Sequence, residues 1–276
     1  MRFVSCKVMN EWMLAMARSI PNKYDLIVGI PRSGLRFGAL LASKFGRPLT
    51  TPDCSQLWYG RFMDSSKPID SILLVDDSLS SGITMGDALS QVKQKYPRAI
   101  VETAAVVVQP GEECGITYWY KKLAQPRVFE WNIAHGKWGK LVCDMDGVIC
   151  QDLPGGVVEA VNPEAYEKHV RHAPPLFIPH YTIDVIVTCR MERWREVTGK
   201  WLNTYGVKFN QLLMWDIERP EERAGKHGLY KAARIEEVGG VDYVFESNWE
   251  QTIDIHNRTK LPVLCFDKMT MMGGEV

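Results

Sequence analysis

The stretch Ser71-Ile-Leu-Leu-Val-Asp-Asp-Ser-Leu-Ser-Ser-Gly-Ile-Thr-Met85 limits the folds open to this chain. Its apolar run, Ile72 to Val75, is short enough for a strand buried in a sheet. The run predicts a strand ending at two adjacent carboxylates, Asp76 and Asp77. A small-residue turn, Ser80-Ser81-Gly82, comes next, and Met85 to Tyr96 has helical spacing until Pro97 closes it. A Ser/Gly turn at a helix N-terminus offers N–H groups and hydroxyls to an anion, aided by the positive end of the helix dipole. The Lys of a Walker loop is missing, which excludes a nucleoside triphosphatase loop. The paired acids would repel a phosphate, so they suit sugar hydroxyls or a metal-bound group. The expected division is sugar on the acids and monophosphate in the turn.

This stretch resembles the phosphoribosyl pyrophosphate (PRPP) signature of type I phosphoribosyltransferases. The resemblance implies that Asp76 and Asp77 hold the ribose 2- and 3-hydroxyls and take part in catalysis. It implies that Ser80, Ser81, Gly82 and Thr84 hold the 5-phosphate. Earlier in the chain, Tyr24 to Ile30 predicts a strand, Gly29-Ile-Pro-Arg-Ser-Gly34 a loop, and the stretch to Phe45 a helix closed by Gly46. This second anion-loop pattern resembles the family's pyrophosphate loop, with Arg32, Ser33 and Gly34 facing the leaving pyrophosphate. Thr51 to Asp70 is polar and irregular, and a loop there would close over the pyrophosphate and exclude water, with Arg61 as the closing cation. Met9, Trp12, Met13, Met16, Ala17 and Ile20 mark a packing helix before Pro21.

Two positions depart from purine members of the family. They carry an acid where Ser80 stands and a Lys where Gln109 stands, at the end of the Ala99 to Gln109 strand. Both changes point away from a purine acceptor. Beyond that strand, Tyr118, Trp119, Tyr120 and Trp131 either stack on an acceptor or fill the core. Glu130, Trp131 and His135 are the candidate acceptor contacts.

A new unit opens at Lys140-Leu-Val-Cys-Asp-Met-Asp-Gly-Val148. A short strand delivers Asp144 and Asp146 at i and i+2, pointing the same way. An EF-hand is excluded because the later loop positions are missing. The motif resembles the first motif of haloacid dehalogenase (HAD) phosphatases. By that resemblance Asp144 attacks phosphorus, Asp146 protonates the leaving alcohol and then activates water, and a magnesium ion (Mg2+) offsets the crowded charge. Later motifs follow in the family's order. Thr182 to Val187 is a strand leading to Thr188, the phosphate-binding hydroxyl. Arg190 is a further candidate phosphate contact, and Glu192 to Tyr205 is a helix. Lys231 is the candidate lysine for the phosphoryl transition state, with Lys226 as competitor. After Val241 to Phe245, Glu246 is the expected third magnesium ligand beside Asp144 and Asp146, and Ser247 or Asn248 completes the set. About forty residues separate Asp146 from Thr188, which predicts a capless, open site. Arg190 and Trp194 also resemble polynucleotide 3′-phosphatases, a reading ranked second.

At 276 residues the chain is long for one domain. The expected architecture is α/β, two doubly wound parallel-sheet domains: residues 1–137 of phosphoribosyltransferase type and 138–276 of HAD type. The formal net charge of zero argues against a general polyanion binder, and no nucleic acid is expected. Seven scattered cysteines without a Cys-x-x-Cys pair exclude a disulfide framework and a zinc site. No apolar run reaches the roughly 20 residues of a membrane span, and no signal-peptide pattern opens the chain, so the cytoplasm is the expected compartment.

Together the two resemblances imply a bifunctional enzyme. The front half transfers 5-phosphoribosyl from PRPP to a sugar hydroxyl, and the rear half removes the 5-phosphate to leave β-ribofuranose. Such pairs resemble systems that build ribofuranose into bacterial capsule and O-antigen polysaccharides. The acceptor is expected to be a glycan or lipid-linked sugar, with peripheral membrane contact at the inner face. A homo-oligomer is expected by resemblance alone. The alternatives are a nucleobase phosphoribosyltransferase coupled to a nucleotidase, and a PRPP or nucleotide sensor.

Overall fold

The structure, a computed structural model, describes residues 1–58, 68–113, 115–153, 155 and 159–274. It has the expected α/β class, with three sheets among the described residues: two larger, mainly parallel ones and one of two strands. The chain contacts divide it into two units: Cys6–Gln125, and Met1–Ser5 joined with Pro126–Val276. This differs from the expected boundary near residue 137. The first strand, β1 (Arg2–Val4), pairs in parallel with β7 (Arg127–Phe129). Phe3, Val128 and Ile133 then share a core with Leu141, Cys143 and Phe245. The apolar surface of residues 1–5 and 126–137 is thus buried with the rear unit, which no periodicity reveals.

In the front unit, α1 (Cys6–Ser19) buries Met9, Met13, Met16 and Ala17, as its spacing predicts. β2 (Leu26–Gly29), α2 (Gly34–Phe45), β3 (Leu49–Thr50), β4 (Ser71–Leu79), α3 (Ile83–Lys95), β5 (Ile100–Val108) and β6 (Tyr118–Lys122) follow. The sheet order is β3-β2-β4-β5-β6, all parallel. Strands buried on both faces need continuous apolar runs, and Leu26, Ile27 and Val28 and Ile72 to Val75 are all fully buried. The chain leaves β2 for β3 on one side, whereas β4 lies on the other. The crevice at this reversal, outside the carboxyl ends of β2 and β4, is where open α/β sheets bind ligands.

The rear unit holds β8 (Leu141–Cys143), α4 (Pro163–His172), β9 (Ile183–Met191), α5 (Arg195–Thr204), β10 (Phe209–Trp215), α6 (His227–Val238), β11 (Tyr243–Glu246), α7 (Trp249–Thr259), β12 (Val263–Cys265) and β13 (Thr270–Met272). Its order is β10-β9-β8-β11-β12-β13, with only β13 antiparallel. β8 sits between β9 and β11, so the residues after β8 also emerge at a reversal of strand order. Asn162 caps α4 by accepting a hydrogen bond from Ala165 N at 3.0 Å.

Candidate functional site

In the front unit, β4 does not stop at the acids. It runs to Leu79, with Asp76 opposite Ala105 and Ser78 opposite Val107. Because side chains alternate along a strand, Asp76 and Asp77 leave opposite faces rather than forming one pair. Asp76 lines a cavity of about 180 Å³ together with Ser80, Ser81, Gly82 and Thr84. Asp77 is buried and does not line it; its N–H donates to Asp76 Oδ1 at 2.8 Å. Burial and the adjacent charge of Asp77 push Asp76 up to about 9. Gly82 precedes α3, whose first turn has no side-chain cap, so its N–H groups face the turn uncovered by a capping side chain.

The loop after β2 meets the same acids. A Cβ on Gly34 would stand 2.8 Å from Asp76 Oδ1 and 2.8 Å from the Val75 carbonyl oxygen, so only glycine permits this approach. Ser33 starts α2 without a side-chain cap, and Arg32 is exposed beside it. The expected pyrophosphate loop and the expected ribose loop are therefore adjacent. A larger recess of about 540 Å³ adjoins them, lined by Ile30, Pro31, Thr51, Asp53, Thr84 and Asp87 among others. Arg61 and loop 59–67 lie outside the described residues. Gln125 Nε2 donates to Ser80 Oγ at 3.0 Å, and Gln109 Oε1 accepts from Gln125 N at 3.2 Å. Neutral groups thus stand at both positions where purine members carry charge.

Glu130, Trp131 and His135, the expected acceptor contacts, fall outside the unit that holds the front acids. They belong to the rear unit, where Trp131 stacks on Phe129 at 4.9 Å and His135 on His180 at 4.6 Å. Tyr118 lies on the edge strand β6, 3.1 Å from the Tyr24 hydroxyl, while Trp119 and Tyr120 are exposed.

The rear site is a charge network. Asp144 and Asp146 follow β8, and Gly147 at φ 81° turns the chain so closely past Ser247 that a Cβ would lie 2.5 Å from its Cβ. Lys231, buried on α6, places Nζ 2.8 Å from Asp144 Oδ2 and 2.7 Å from Glu246 Oε2. Lys226 is exposed at the start of that helix. Burial and the charge of Glu246 raise Asp144 well above the usual carboxylate range, against the pull of Lys231.

β9 continues past Thr188 to Met191, so Thr188 and Arg190 share one face. The Thr188 hydroxyl lies 3.5 Å from Asp146 Oδ2. Arg190 grips Asp146 with two nitrogens, Nε to Oδ2 at 2.9 Å and Nη2 to Oδ1 at 2.6 Å. Nη1 reaches Thr198 at 3.3 Å. At 1% exposure, Arg190 borders the same cavity as Asp144 and Asp146 with its N–H groups turned to Asp146 and Thr198, so a phosphate would reach it only in competition with Asp146. A buried guanidinium needs a carboxylate, and Asp146 is the one it faces. Burial alone would raise Asp146, but Arg190 and His169, whose Nε2 lies 3.6 Å from Oδ1, hold it well below the usual range.

The expected three-carboxylate magnesium set is not assembled. Glu246 accepts from Lys231 and from the N–H groups of Ser247 and Asn248 at 3.0 and 3.1 Å, and no group of three potential ligands converges among the described residues. Asp144 and Asp146 offer the hard oxygen donors magnesium prefers, but a cationic side chain occupies each partner position.

Sequence reasoning missed the wall of this site. A cavity of about 310 Å³ is lined by Asp144, Asp146 and Lys231, and also by Glu159, Tyr166 and Arg223. The connection expected to leave the site open supplies Tyr166 from α4. A buried-type spacing of Tyr166 and Val170 on α4 was the available signal; Glu159 and Arg223 had none.

No protein-family model matches the chain. It is 24% identical over 110 residues to an orotate phosphoribosyltransferase from Pyrobaculum islandicum, covering 38% of this chain and 55% of that protein. The chain therefore spans about half the length of that curated relative. Among solved structures, similarity extends to a purine phosphoribosyltransferase from Pyrococcus horikoshii, at 19% identity and TM-score 0.36, covering 47% of this chain and 92% of that one. A Helicobacter pylori xanthine-guanine-hypoxanthine phosphoribosyltransferase is similar at 15% identity and TM-score 0.39, covering 48% and 93%. A chain of a Pnkp1/Rnl/Hen1 complex covers 93% of this chain and 91% of its own, at 12% identity and TM-score 0.35. With TM-scores below 0.5, nothing about activity follows from these three. The sequence relative supports likeness to a phosphoribosyltransferase for part of the chain, and the rear unit rests on its own geometry.

Proposed function

We propose that the chain transfers a 5-phosphoribosyl group from PRPP to a sugar hydroxyl and then removes the 5-phosphate, leaving a β-ribofuranosyl product. The observation that carries the proposal is the meeting of the loops after β2 and β4, with Gly34 against Asp76 beside the uncapped start of α3. Sequence similarity to an orotate phosphoribosyltransferase supports PRPP as donor. In this reading the turn Ser80–Thr84 binds the 5-phosphate and Asp76 takes a ribose hydroxyl. Arg32 and the backbone of Ser33 and Gly34 receive the departing pyrophosphate as positive charge develops at the anomeric carbon. The neutral Ser80 and Gln109 positions support an acceptor that needs no proton managed on a ring nitrogen.

In the rear unit, an Asp144 oxygen attacks phosphorus while Lys231 offsets the charge that grows on the phosphoryl oxygens. Thr188 orients the phosphate. Asp146 gives a proton to the leaving alcohol. Bound phosphate brings negative charge beside this carboxylate and competes for Arg190, which raises its proton affinity from the low value of the free site. Magnesium, implied by both resemblances, would supply further charge compensation; the carboxylates as arranged do not form its ligand set.

The test is incubation of the purified chain with PRPP, magnesium and a panel of glycan acceptors, with products read by mass spectrometry. A ribosylated glycan without phosphate is expected. Asp144→Asn should accumulate the 5-phosphoribosyl glycan, with phosphate release down about a thousandfold. Asp77→Asn should weaken transfer about tenfold through the neighbouring Asp76. The name of the curated relative favours a second reading, a nucleobase acceptor followed by nucleotide dephosphorylation. Nucleosides formed from bases, with glycans left untouched, would establish it instead.

A further inference from the structure

We infer that Glu159 is a positioning residue that shapes the leaving-group side of the rear cavity, and that this wall selects a ring-shaped alcohol such as a phosphorylated pentose. The inference rests on the phosphatase reading above. The Glu159 side chain is wholly buried, at 0% exposure. An isolated carboxylate in that setting would cost several kcal/mol or more, so it persists only when paired. Its partners come from two other segments. Arg193 and Trp194, in the short 3-10 turn after β9, both bond Oε1: Arg193 Nε at 3.1 Å and Trp194 Nε1 at 2.7 Å. Arg223, in a 3-10 turn after β10, donates from Nη2 to Oε2 at 2.7 Å and from Nη1 to the Cys189 carbonyl at 2.9 Å.

The bonds have a consequence for shape. Arg223 is held with Cζ 5.7 Å from the Tyr166 ring centre, within cation–π range. Trp194 packs on the same tyrosine, with ring centres 5.8 Å apart. Arg223 and Tyr166 face the same cavity as Asp144 and Lys231. Each of the three Arg223 nitrogens makes a bond, to Glu159, Cys189 or Pro220, which fixes the plane of the guanidinium beside the cavity. A flat, partly apolar face beside a phosphate site fits one face of a furanose ring. Small aryl phosphates, whose leaving group needs little placement, depend on it less.

Glu159→Gln keeps the side chain's size but puts an amide N–H₂ against an arginine donor. With ribose 5-phosphate as substrate, KM should rise about tenfold, while kcat/KM for p-nitrophenyl phosphate stays within about twofold. Glu159→Asp, which keeps the charge, should recover part of the loss. Trp194→Phe removes one bond to Oε1 and keeps the ring; it should give a smaller shift in the same direction, and it tests the inference if Glu159→Gln does not fold. Equal loss on both substrates, or no change on either, would overturn the assignment of Glu159 alone. A wild-type chain that hydrolyses neither substrate would overturn the phosphatase reading and this inference with it.

Discussion

Asp76, half-buried, and Asp144, buried, both lie beside a reversal of strand order next to another carboxylate, yet they differ in the partners that face them. Asp144 faces Lys231 Nζ at 2.8 Å, and its neighbour Asp146 is gripped by Arg190. Asp76 instead lies beside Asp77 and under the Gly34 backbone. The rear site carries cations of its own before any substrate arrives, Lys231 between Asp144 and Glu246 and Arg190 on Asp146. In the front site, burial and the charge of Asp77 push Asp76 up to about 9, which favours its neutral form. The difference teaches where each site is expected to be fragile. Cutting one cation should damage the rear site most, whereas backbone spacing and pH should matter most in the front.

The largest effect expected is for Lys231→Ala, which strands two buried carboxylates, Asp144 and Glu246. Breaking a buried pair in this way costs about 3–5 kcal/mol. Hydrogen exchange should show the loss in β8, α6 and β11, with β2 and β4 unchanged. Uniform protection throughout would mean that the network contributes little to stability.

The acids at 144 and 146, Thr188 and Lys231 were singled out by resemblance to an ordered set of motifs; the fold lines one cavity with Asp144, Asp146 and Lys231 and sets the Thr188 hydroxyl 3.5 Å from Asp146. Glu159 and Arg223 were not legible, because they meet only through a contact between a loop and a distant 3-10 turn. The end of β4 was misplaced for a different reason. Charged and small residues usually close a strand, but pairing with Val107 and Val108 on β5 carries this one on to Leu79. Arg190 was singled out as a candidate in the sequence, but its burial was not, since the length of β9 decides which way it faces.

A smaller effect is expected for Gly34→Ala. The added methyl group meets backbone and carboxylate atoms at 2.8–2.9 Å, which cannot yield as a flexible side chain would. A destabilisation of about 1–3 kcal/mol is expected in thermal or denaturant unfolding, along with weaker PRPP binding by calorimetry. Unchanged binding would separate the loop after β2 from the donor site and weaken the contrast between the two units.

An effect of a different kind, a slope rather than an offset, should appear in the pH dependence of Asp76→Asn. An ordinary Asp releases its proton near pH 4, whereas folded Asp76 keeps it to about 9. The folded state therefore binds more protons than the unfolded state between these values, so this group makes stability fall as pH rises through that window. The Asn variant lacks that slope. Its melting temperature should gain on wild type more at pH 8 than at pH 5. An equal gain at both would show that Asp76 ionises normally.

The pairing of β1 with β7 makes the Cys6–Gln125 unit an insertion, flanked on both sides by chain belonging to its neighbour. During synthesis the first strand must therefore wait, unpaired, until more than a hundred residues have followed it and Arg127–Phe129 emerge. Shortening the chain by its first five residues would then be felt in the rear unit rather than in the one it directly precedes.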